Sequence, residues 1–478
     1  MSSETISNDK REHSGFIPAV PWTMQATGLA QSMIEHLMFN ILYVRGELSG
    51  RTIADTMGLS FSVLEPILNE LKLRQYLEVK RSMGYGLISS DFALSDVGRK
   101  RAREFAEINQ YVGPAPVPLS QYSAAVEAQR LGRGWLTPEA LTRAYRHMVI
   151  NPETLDLIGP AVNSGRSFLI YGQPGNGKTY MAEALVNLES SPVFIPHAIE
   201  YNGLIIQLFD PLNHRPLEGQ NESAALFCLQ RPYDSRWVRC RRPFISTGGE
   251  LNLSMLELSY NLSTKIYGSP CHLKANNGIY LIDDFGRQKM TPADLLNRWI
   301  VPMESRMDHL TLPTGGKLSV PFETFLIFST NLNPQTLGDE AFLRRIQYKM
   351  FVQNPDRREF IEIFKRVCAE NRFEIADELL AEFIDRRYVR SGKPFRRCHP
   401  RDVVSHAIDL IHFRGRPHEL ARDILDHAFI SCFAETNNPG HARDIGAASR
   451  LGHPVSGLST NCWSGGDDAM RLLETPTV

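Results

Sequence analysis

Two short segments of the 478-residue chain carry residue types that suit phosphate chemistry. The first is the run Gly172-Gln173-Pro174-Gly175-Asn176-Gly177-Lys178-Thr179, a complete G-x-x-x-x-G-K-[ST] pattern that is followed by Tyr180. Glycines let such a loop turn its backbone N–H groups inward, where they and the next helix N-terminus bind a nucleotide phosphate. We expect Lys178 to reach the β- and γ-phosphates of ATP and the Thr179 hydroxyl to ligate Mg²⁺. The simpler alternative is a glycine turn that happens to precede a helix.

The second segment supplies carboxylates. The apolar residues 278–282 end in Asp283 and Asp284. A strand that delivers carboxylates at its C-terminal end, beside a phosphate loop, has the Walker B arrangement. We expect Asp283 to hold Mg²⁺, directly or through water, and Asp284 to polarise the attacking water. The alternative is a strand that ends in an ordinary acidic turn.

Three short apolar runs must position these groups. They cover residues 167–171, 278–282 and 324–328, and each has the length and composition of a buried parallel strand. A helix-forming stretch follows the phosphate loop directly. The sequence therefore predicts an α/β fold in which a parallel sheet is flanked by helices.

With both nucleotide motifs present, residues 150–433 resemble the AAA+ ATPases. In that family a polar side chain called sensor 1 lies between the two motifs, and Asn331, after the third strand, matches it. Arg344 and Arg345 are similar to the arginine fingers of Clp-type members, which reach the γ-phosphate of the neighbouring subunit. Their fixed planar charge would offset the charge that develops during phosphoryl transfer. An arginine pair on a helix is otherwise usually a solvated surface.

The remaining AAA+ features lie on either side of these residues. Residues 354–433 are expected to be helical and resemble the AAA+ lid. Arg401, in the run His399-Pro-Arg-Asp402, is similar to the sensor 2 arginine and would contact the γ-phosphate, unless it simply pairs with Asp402. One departure from the family is Asp284, where a glutamate is usual, which leaves the rate of hydrolysis open.

Two alternating runs around Gly315-Gly316 predict a hairpin just before the third strand. This hairpin resembles the pre-sensor 1 hairpin of MoxR-type, magnesium-chelatase and enhancer-binding ATPases, which faces the ring pore. Lys317 at its tip would then face a partner, or it is an ordinary solvated turn lysine.

Residues 28–108 are predicted to form three helices and a two-stranded hairpin, which resembles a winged-helix-like α+β domain. The third helix, at 62–74, carries Glu65 and Glu70, and the segment as a whole has about as many acidic as basic residues. A DNA-binding domain usually has a basic excess. The expected division is 1–27 flexible tail, 28–108 winged-helix-like domain, 109–149 linker with a helix and a Pro-rich start at 113–118, 150–353 AAA+ core, 354–433 helical lid and 434–478 flexible tail.

The composition narrows the choice of partners. Lys and Arg number 52 against 53 Asp and Glu, a net charge of -1, so the chain is not basic overall, although a local patch can still hide in this average. No apolar run approaches the roughly 20 residues that span a bilayer, and the seven cysteines are scattered, so we expect a cytoplasmic protein. The long interval at 190–270 predicts an insertion. Its Arg-rich stretch 236–242 would contact nucleic acid or the acidic surface of a partner or, more simply, form a subunit interface or salt-bridged surface.

The sequence thus predicts an enzyme that hydrolyses ATP with Mg²⁺ at the interfaces of a homo-oligomeric ring, expected to be a hexamer. We expect it to act as a remodeller or chaperone of a protein partner. One alternative is a DNA-binding regulator that uses residues 28–108. Another is a slow ATP switch that scaffolds a complex.

Overall fold

The computed structural model describes residues 15–81, 86–132, 134–188, 190–217, 232–312, 315–337 and 343–433. The α-helices of these residues are α1 (Met24–Thr27), α2 (Gln31–Arg45), α3 (Gly50–Met57), α4 (Phe61–Leu73), α5 (Asp96–Ile108), α6 (Leu119–Ala128), α7 (Pro138–Ala144), α8 (Pro152–Ser164), α9 (Lys178–Ala184), α10 (Cys271–Lys274), α11 (Pro292–Ser305), α12 (Arg357–Glu370), α13 (Asp377–Ile384), α14 (His399–Arg414) and α15 (Arg422–Phe433). The predicted tail 434–478 and residues 1–14 of the other tail lie outside the described residues.

The strands belong to several small sheets and one central sheet. They are β1 (Leu48–Ser49), β2 (Leu77–Arg81), β3 (Asp91–Leu94), β4 (Val117–Pro118), β5 (Ser167–Gly172), β6 (Val193–Pro196), β7 (Ala198–Tyr201), β8 (Leu204–Gln207), β9 (Trp237–Cys240), β10 (Phe244–Thr247), β11 (Ser259–Asn261), β12 (Ile266–Gly268), β13 (Ile279–Ile282), β14 (Met307–Thr311), β15 (Lys317–Pro321), β16 (Phe325–Thr330) and β17 (Tyr348–Val352). None of the helices described here is both long enough and apolar enough to cross a bilayer.

The central sheet is parallel, with the strand order β10-β13-β16-β5-β17. Alternate side chains of its strands enter two separate apolar cores, so that Phe168 and Ile170 pack on one face and Leu169 packs on the other. This alternation explains why the strands are apolar throughout: both faces are covered. The predicted α/β class, a parallel sheet flanked by helices with further helices at the C-terminal end, is confirmed.

A second sheet has the order β11-β12-β8-β7-β4, and β6 pairs with β9 in a separate two-stranded ladder. Most of these strands come from the predicted insertion at 190–270, although β10 in the same interval belongs to the central sheet. The Pro-rich segment 113–118 was expected to begin a linker between two domains, but its last two residues form strand β4 of this sheet. Val117 is fully buried and pairs with Ile199, because the extended conformation that proline favours also suits an edge strand.

The N-terminal residues form helices α2 to α5 around a three-stranded antiparallel sheet of order β1-β3-β2. Helix α4 covers most of the predicted helix at 62–74. The expectation of a flexible tail up to residue 27 is wrong for residues 15–27. Phe16 packs against Phe194 and Trp237 of the β6–β9 ladder, and Thr27 is fully buried, so this segment is part of the folded body.

The C-terminal helices α12 to α15 share one apolar core, which includes Phe360, Phe383, Val404 and Phe429. The predicted hairpin before β16 is formed by β14 and β15, with Thr311 opposite Lys317. Its buried side chains, such as Leu310 and Leu318, join the core of the second sheet, so one face of the hairpin is part of the folded body.

Candidate nucleotide site

The phosphate loop connects β5 to α9, and two of its glycines are required by the fold. Gly172 has φ +146°, and a Cβ there would lie 2.6 Å from the backbone oxygen of Val352 on the neighbouring strand β17. Gly175 has φ +81°, and a Cβ there would lie 2.7 Å from Sγ of Cys398. Both positions combine a left-handed backbone with close neighbours, so only glycine fits. The loop is held closely between the sheet and the C-terminal helices.

Lys178 begins helix α9, and its side chain folds back over the loop. Its Nζ donates to the carbonyl oxygens of Gly172 and Gln173, both at 3.1 Å, and to Oδ1 of Asn331 at 2.5 Å. Burial lowers the pKa of Lys178, and the charges of Asp283 and Asp284 oppose this shift. The ammonium is therefore positioned between the loop and the two predicted carboxylates.

Thr179 and Asp283 come together at the expected metal position. The Thr179 hydroxyl donates to the Asp283 carboxylate, with Oγ1 2.9 Å from Oδ2 and 3.1 Å from Oδ1. A hydroxyl and a carboxylate are hard oxygen donors, and Mg²⁺ is commonly held by one or two such groups together with substrate phosphates. The described residues contain no cluster of three or more His, Cys, Asp or Glu side chains able to hold a metal alone. The pair fits an ion that arrives with a nucleotide.

Asp284 and Asn331 complete the edge of the sheet. Asn331 Nδ2 donates to Oδ1 of Asp284 over 3.0 Å, while its Oδ1 accepts from Lys178. Asp284 is exposed and has φ +49°. A left-handed backbone costs about 1–3 kcal/mol for most side chains, but Asp and Asn tolerate it best. This conformation gives a physical reason for an aspartate at 284.

The two predicted finger arginines have different surroundings. Arg345 is held within its own chain, since its Nε lies 2.8 Å from Oε1 of Glu304. Arg344 is exposed, and none of the described residues forms a hydrogen bond or ion pair with its guanidinium. Residues 338–342, shortly before them, lie outside the described residues. Of the two arginines, Arg344 is the one whose side chain faces solvent.

The C-terminal helices contact the loop through residues that the sequence did not single out. Cys398 N donates to the Gly175 oxygen over 2.9 Å. Asn354 Oδ1 accepts from Asn176 Nδ2 at 2.8 Å and from Arg396 Nη1 at 2.9 Å. The only sequence signal for Arg396 and Cys398 is that they directly precede the predicted sensor 2 element, and Asn354 had none.

Arg401 and Tyr180 lie at the margin of the site. The Arg401 side chain is 76% exposed and its Nη2 lies 3.4 Å from Asp402, so the predicted contact with the γ-phosphate stays a prediction. Burial and, to a smaller degree, the charge of Arg396, five residues before Arg401, lower the pKa of Lys178. Tyr180 is exposed, and its ring meets His147 edge to face at 5.3 Å. Pro174 lies exposed at the tip of the loop.

Comparison with known proteins gives only a distant likeness. A family model described as "Domain of unknown function (DUF8689)" matches residues 356–431, which are the C-terminal helices. No curated protein matches the chain. The chain resembles solved structures of NtrX from Brucella abortus (12% identity, TM-score 0.35, 68% of this chain and 60% of that one), a RuvB variant from Thermotoga maritima (15%, 0.32, 64% and 72%) and a magnesium chelatase BchI–BchD model (17%, 0.30, 60% and 92%).

The chain thus spans 60% of the length of the NtrX structure. At these identities and TM-scores, function has to be inferred from the geometry of the site itself.

Proposed function

We propose that this protein is an ATPase of the AAA+ type that binds ATP with Mg²⁺ at the loop 172–180. One observation carries the proposal: the loop, Asp283 and Asn331 come from three neighbouring parallel strands and meet at the same sheet edge in one hydrogen-bonded group. The carboxyl ends of adjacent parallel strands are where nucleotide sites form in open α/β sheets.

Each group then has a role in phosphoryl transfer to water. The N–H groups of the loop and of α9 hold the phosphates, and Lys178 exchanges its loop carbonyls for phosphate oxygens. Thr179 and Asp283 hold Mg²⁺, which would neutralise developing charge when bound. Asp284 orients the attacking water, and Asn331 keeps Asp284 in place through its 3.0 Å hydrogen bond. Arg396 and Arg401 supply positive charge from the lid side.

We further propose that the active assembly is a ring in which Arg344 completes the site of the neighbouring subunit. The exposure of Arg344 and the internal pairing of Arg345 with Glu304 support this choice. A guanidinium acting in trans would couple hydrolysis to movement between subunits.

Arg344→Ala and Lys178→Ala proteins should each be inactive alone, yet mixing them should restore turnover. In mixed rings, about a quarter of the interfaces combine an intact loop from one variant with an intact finger from the other. The measurement is steady-state phosphate release from a one-to-one mixture, with Arg345→Ala as the matched variant that should lose less activity. Rings that form but stay inactive after mixing would rule out action in trans.

The remodelled partner is proposed to be a protein, and the surface of α4 supports this. Its outward face combines Glu65, Asn69 and Lys72 with Leu73, which is 83% exposed, so the face is neutral and partly apolar. The start of α4 is also covered, since Ser60 Oγ and Ser62 Oγ each donate, at 3.1 Å, to backbone oxygens of the 21–22 segment. Both features suit protein docking better than insertion into a DNA groove, which is the alternative.

An Asp284→Asn variant should bind ATP without turning it over and therefore retain its partner. Nuclease-treated extract passed over this variant with ATP should leave the same protein bound in repeat experiments, whereas Lys178→Ala should not retain it. If DNA is retained before nuclease treatment and no protein after it, the DNA regulator is favoured. Slow turnover in the unaltered protein that no retained partner changes would favour the scaffolding switch.

A further inference from the structure

A large basic cleft lies at the opposite edge of the central sheet from the nucleotide site. It measures about 1240 Å³ and is lined by residues at the starts of β5, β10, β13 and β16, including Arg166, Phe244, Ile279 and Phe325. The loop and Asp283 follow the other ends of these strands. At about 3.3 Å per residue, the length of β5 alone separates the two places by about 20 Å. The strand-end residues of the cleft therefore lie far from the phosphate loop, although His147, which also lines the cleft, meets Tyr180 at the margin of the nucleotide site.

The lining of this cleft is strongly cationic. It contains eight arginines and two glutamates, a net charge of +6, in a chain whose formal net charge is -1. The described lining residues include no lysine and no aspartate. Guanidinium groups bind phosphate oxygens through two parallel N–H donors, which a lysine cannot do. Six of these arginines are Arg130, Arg166, Arg215, Arg241, Arg242 and Arg306.

The charges are only partly compensated by the protein. The guanidinium of Arg130 pairs with two carboxylates, with Nη1 3.5 Å from Oε1 of Glu127 and Nε 3.4 Å from Oε2 of Glu323. Arg242, in contrast, donates at 2.8–3.1 Å to the backbone oxygens of three segments, and burial lowers its pKa to about 10. Arg306 donates to the Gly165 oxygen. Burial lowers the pKa of Arg306, the charge of Glu323 opposes this shift, and the charges of Arg130 and Arg166 add to it. The cleft therefore has a surplus of positive charge, and an anion would relieve its self-repulsion.

Size and composition indicate which anion. Pockets for drug-sized ligands measure roughly 300–1,000 Å³, so this cleft accommodates more than one small molecule. Half-buried Trp135 also lines the cleft. Basic grooves that combine arginines with an aromatic side chain are the arrangement by which proteins hold single strands, because the backbone is neutralised and bases stack.

We propose that this cleft binds the phosphate backbone of single-stranded nucleic acid. The backbones of Arg215 and Arg241 are hydrogen-bonded to each other, since Arg241 N donates to the Arg215 oxygen over 3.0 Å. Both side chains are exposed. They form one basic rim of the cleft. Arg166 and Arg306 extend the positive charge to the start of β5 and the base of the β14–β15 hairpin.

The test measures binding of a fluorescent single strand of about 20 nucleotides, as oligothymidylate and as oligouridylate, to the full chain across a salt series. Arg215→Glu/Arg241→Glu should weaken binding at least about tenfold and reduce the salt slope by about 1.4, the value for two lost phosphate contacts. The matched control is Arg358→Glu/Arg390→Glu, which makes the same charge change at exposed positions of the C-terminal helices and should bind like the unaltered protein. Tighter binding of oligothymidylate would identify DNA as the natural ligand, and tighter binding of oligouridylate would identify RNA.

Several results would overturn the proposal. The first is absence of oligonucleotide binding at low salt, and the second is equal binding by both double variants. The third is that a polyglutamate peptide binds in a way that depends on Arg215 and Arg241 while the oligonucleotides do not bind. That third result would assign the cleft to an acidic protein. ATP hydrolysis should be unchanged in both double variants, because neither pair touches the nucleotide site. Failure of the ATPase proposal would therefore be visible separately.

Discussion

Replacing Lys178 with alanine should abolish ATP hydrolysis. The Nζ of Lys178 is held at 2.5–3.1 Å from two loop carbonyls and Asn331, which places its charge at the phosphate position, and no other described lysine approaches the loop in this way. Removing one preorganised donor to a developing negative charge costs about 10²–10³ in turnover. We expect a loss of at least about 100-fold in phosphate release. As a control, Lys100→Ala replaces an exposed lysine of α5 and should leave the rate of phosphate release unchanged.

A second measurement separates a lost site from a lost fold. A ligand that binds only the native state at 100 times its Kd stabilises that state by about 2.7 kcal/mol. The unaltered protein should therefore melt at a higher temperature in the presence of ATP and Mg²⁺. Without nucleotide, Lys178→Ala should still unfold in one cooperative transition, but it should lose most of this increase. Turnover that survives in Lys178→Ala would contradict the assignment of the loop.

Replacing Arg236 with alanine should destabilise the folded protein by about 3–5 kcal/mol, because it breaks a buried ion pair. The side chains of Arg236 and Asp234 are each 2% exposed, and Arg236 Nη2 lies 2.8 Å from the Asp234 carboxylate. The same guanidinium donates to the backbone oxygen of Thr27 at 3.0 Å and of Pro116 at 3.4 Å. Without it, Asp234 is left as a buried charge and two carbonyls lose their donor.

The control for this prediction lies on the same strand. Arg239→Ala removes an exposed arginine of β9 and should change the free energy of unfolding by no more than about 0.5 kcal/mol. Asp234→Ala/Arg236→Met removes both charges and should recover a substantial part of the loss, since a buried pair can be exchanged for apolar groups at little cost. Equal unfolding midpoints for Arg236→Ala and Arg239→Ala in urea would show that the network contributes nothing.

The chemistry of the candidate site was predictable because it is local in the sequence. A phosphate loop needs its glycines, lysine and threonine within eight consecutive positions, and carboxylates at a strand end need only the strand before them. The parallel sheet followed from three apolar runs, since a strand covered on both faces must be apolar throughout. Asp283, Thr179 and Lys178 meet as these patterns predict, whereas Asn331, which joins them, was expected only from the family resemblance.

Other contacts of the site were not predictable in this way. Arg396 and Cys398 approach the loop from about 220 residues further along the chain, through a packing geometry that no short pattern encodes. The segment 113–118 illustrates the same limit. Its prolines indicate an extended chain equally well for an isolated linker and for a buried edge strand, and only the neighbouring strand β7 decides between them.

The distribution of charge shows most clearly what each level determines. From the sequence, the near balance of 52 basic and 53 acidic residues excludes a uniformly basic protein, and the Arg-rich stretch 236–242 has no unique interpretation. The fold separates that stretch into a buried arginine, Arg236, which joins the N-terminal segment to the second sheet, and two arginines, Arg241 and Arg242, that line the basic cleft.

The other arginines of the cleft come from positions between 130 and 306. Charges so far apart in the sequence average out along the chain and add up only where folding brings them within a few ångströms of each other, because electrostatic interaction depends on distance in space. The sequence by itself therefore determined which residues can handle a nucleotide phosphate. Only the tertiary structure decided which of the remaining charges are buried in the core and which act together on a surface.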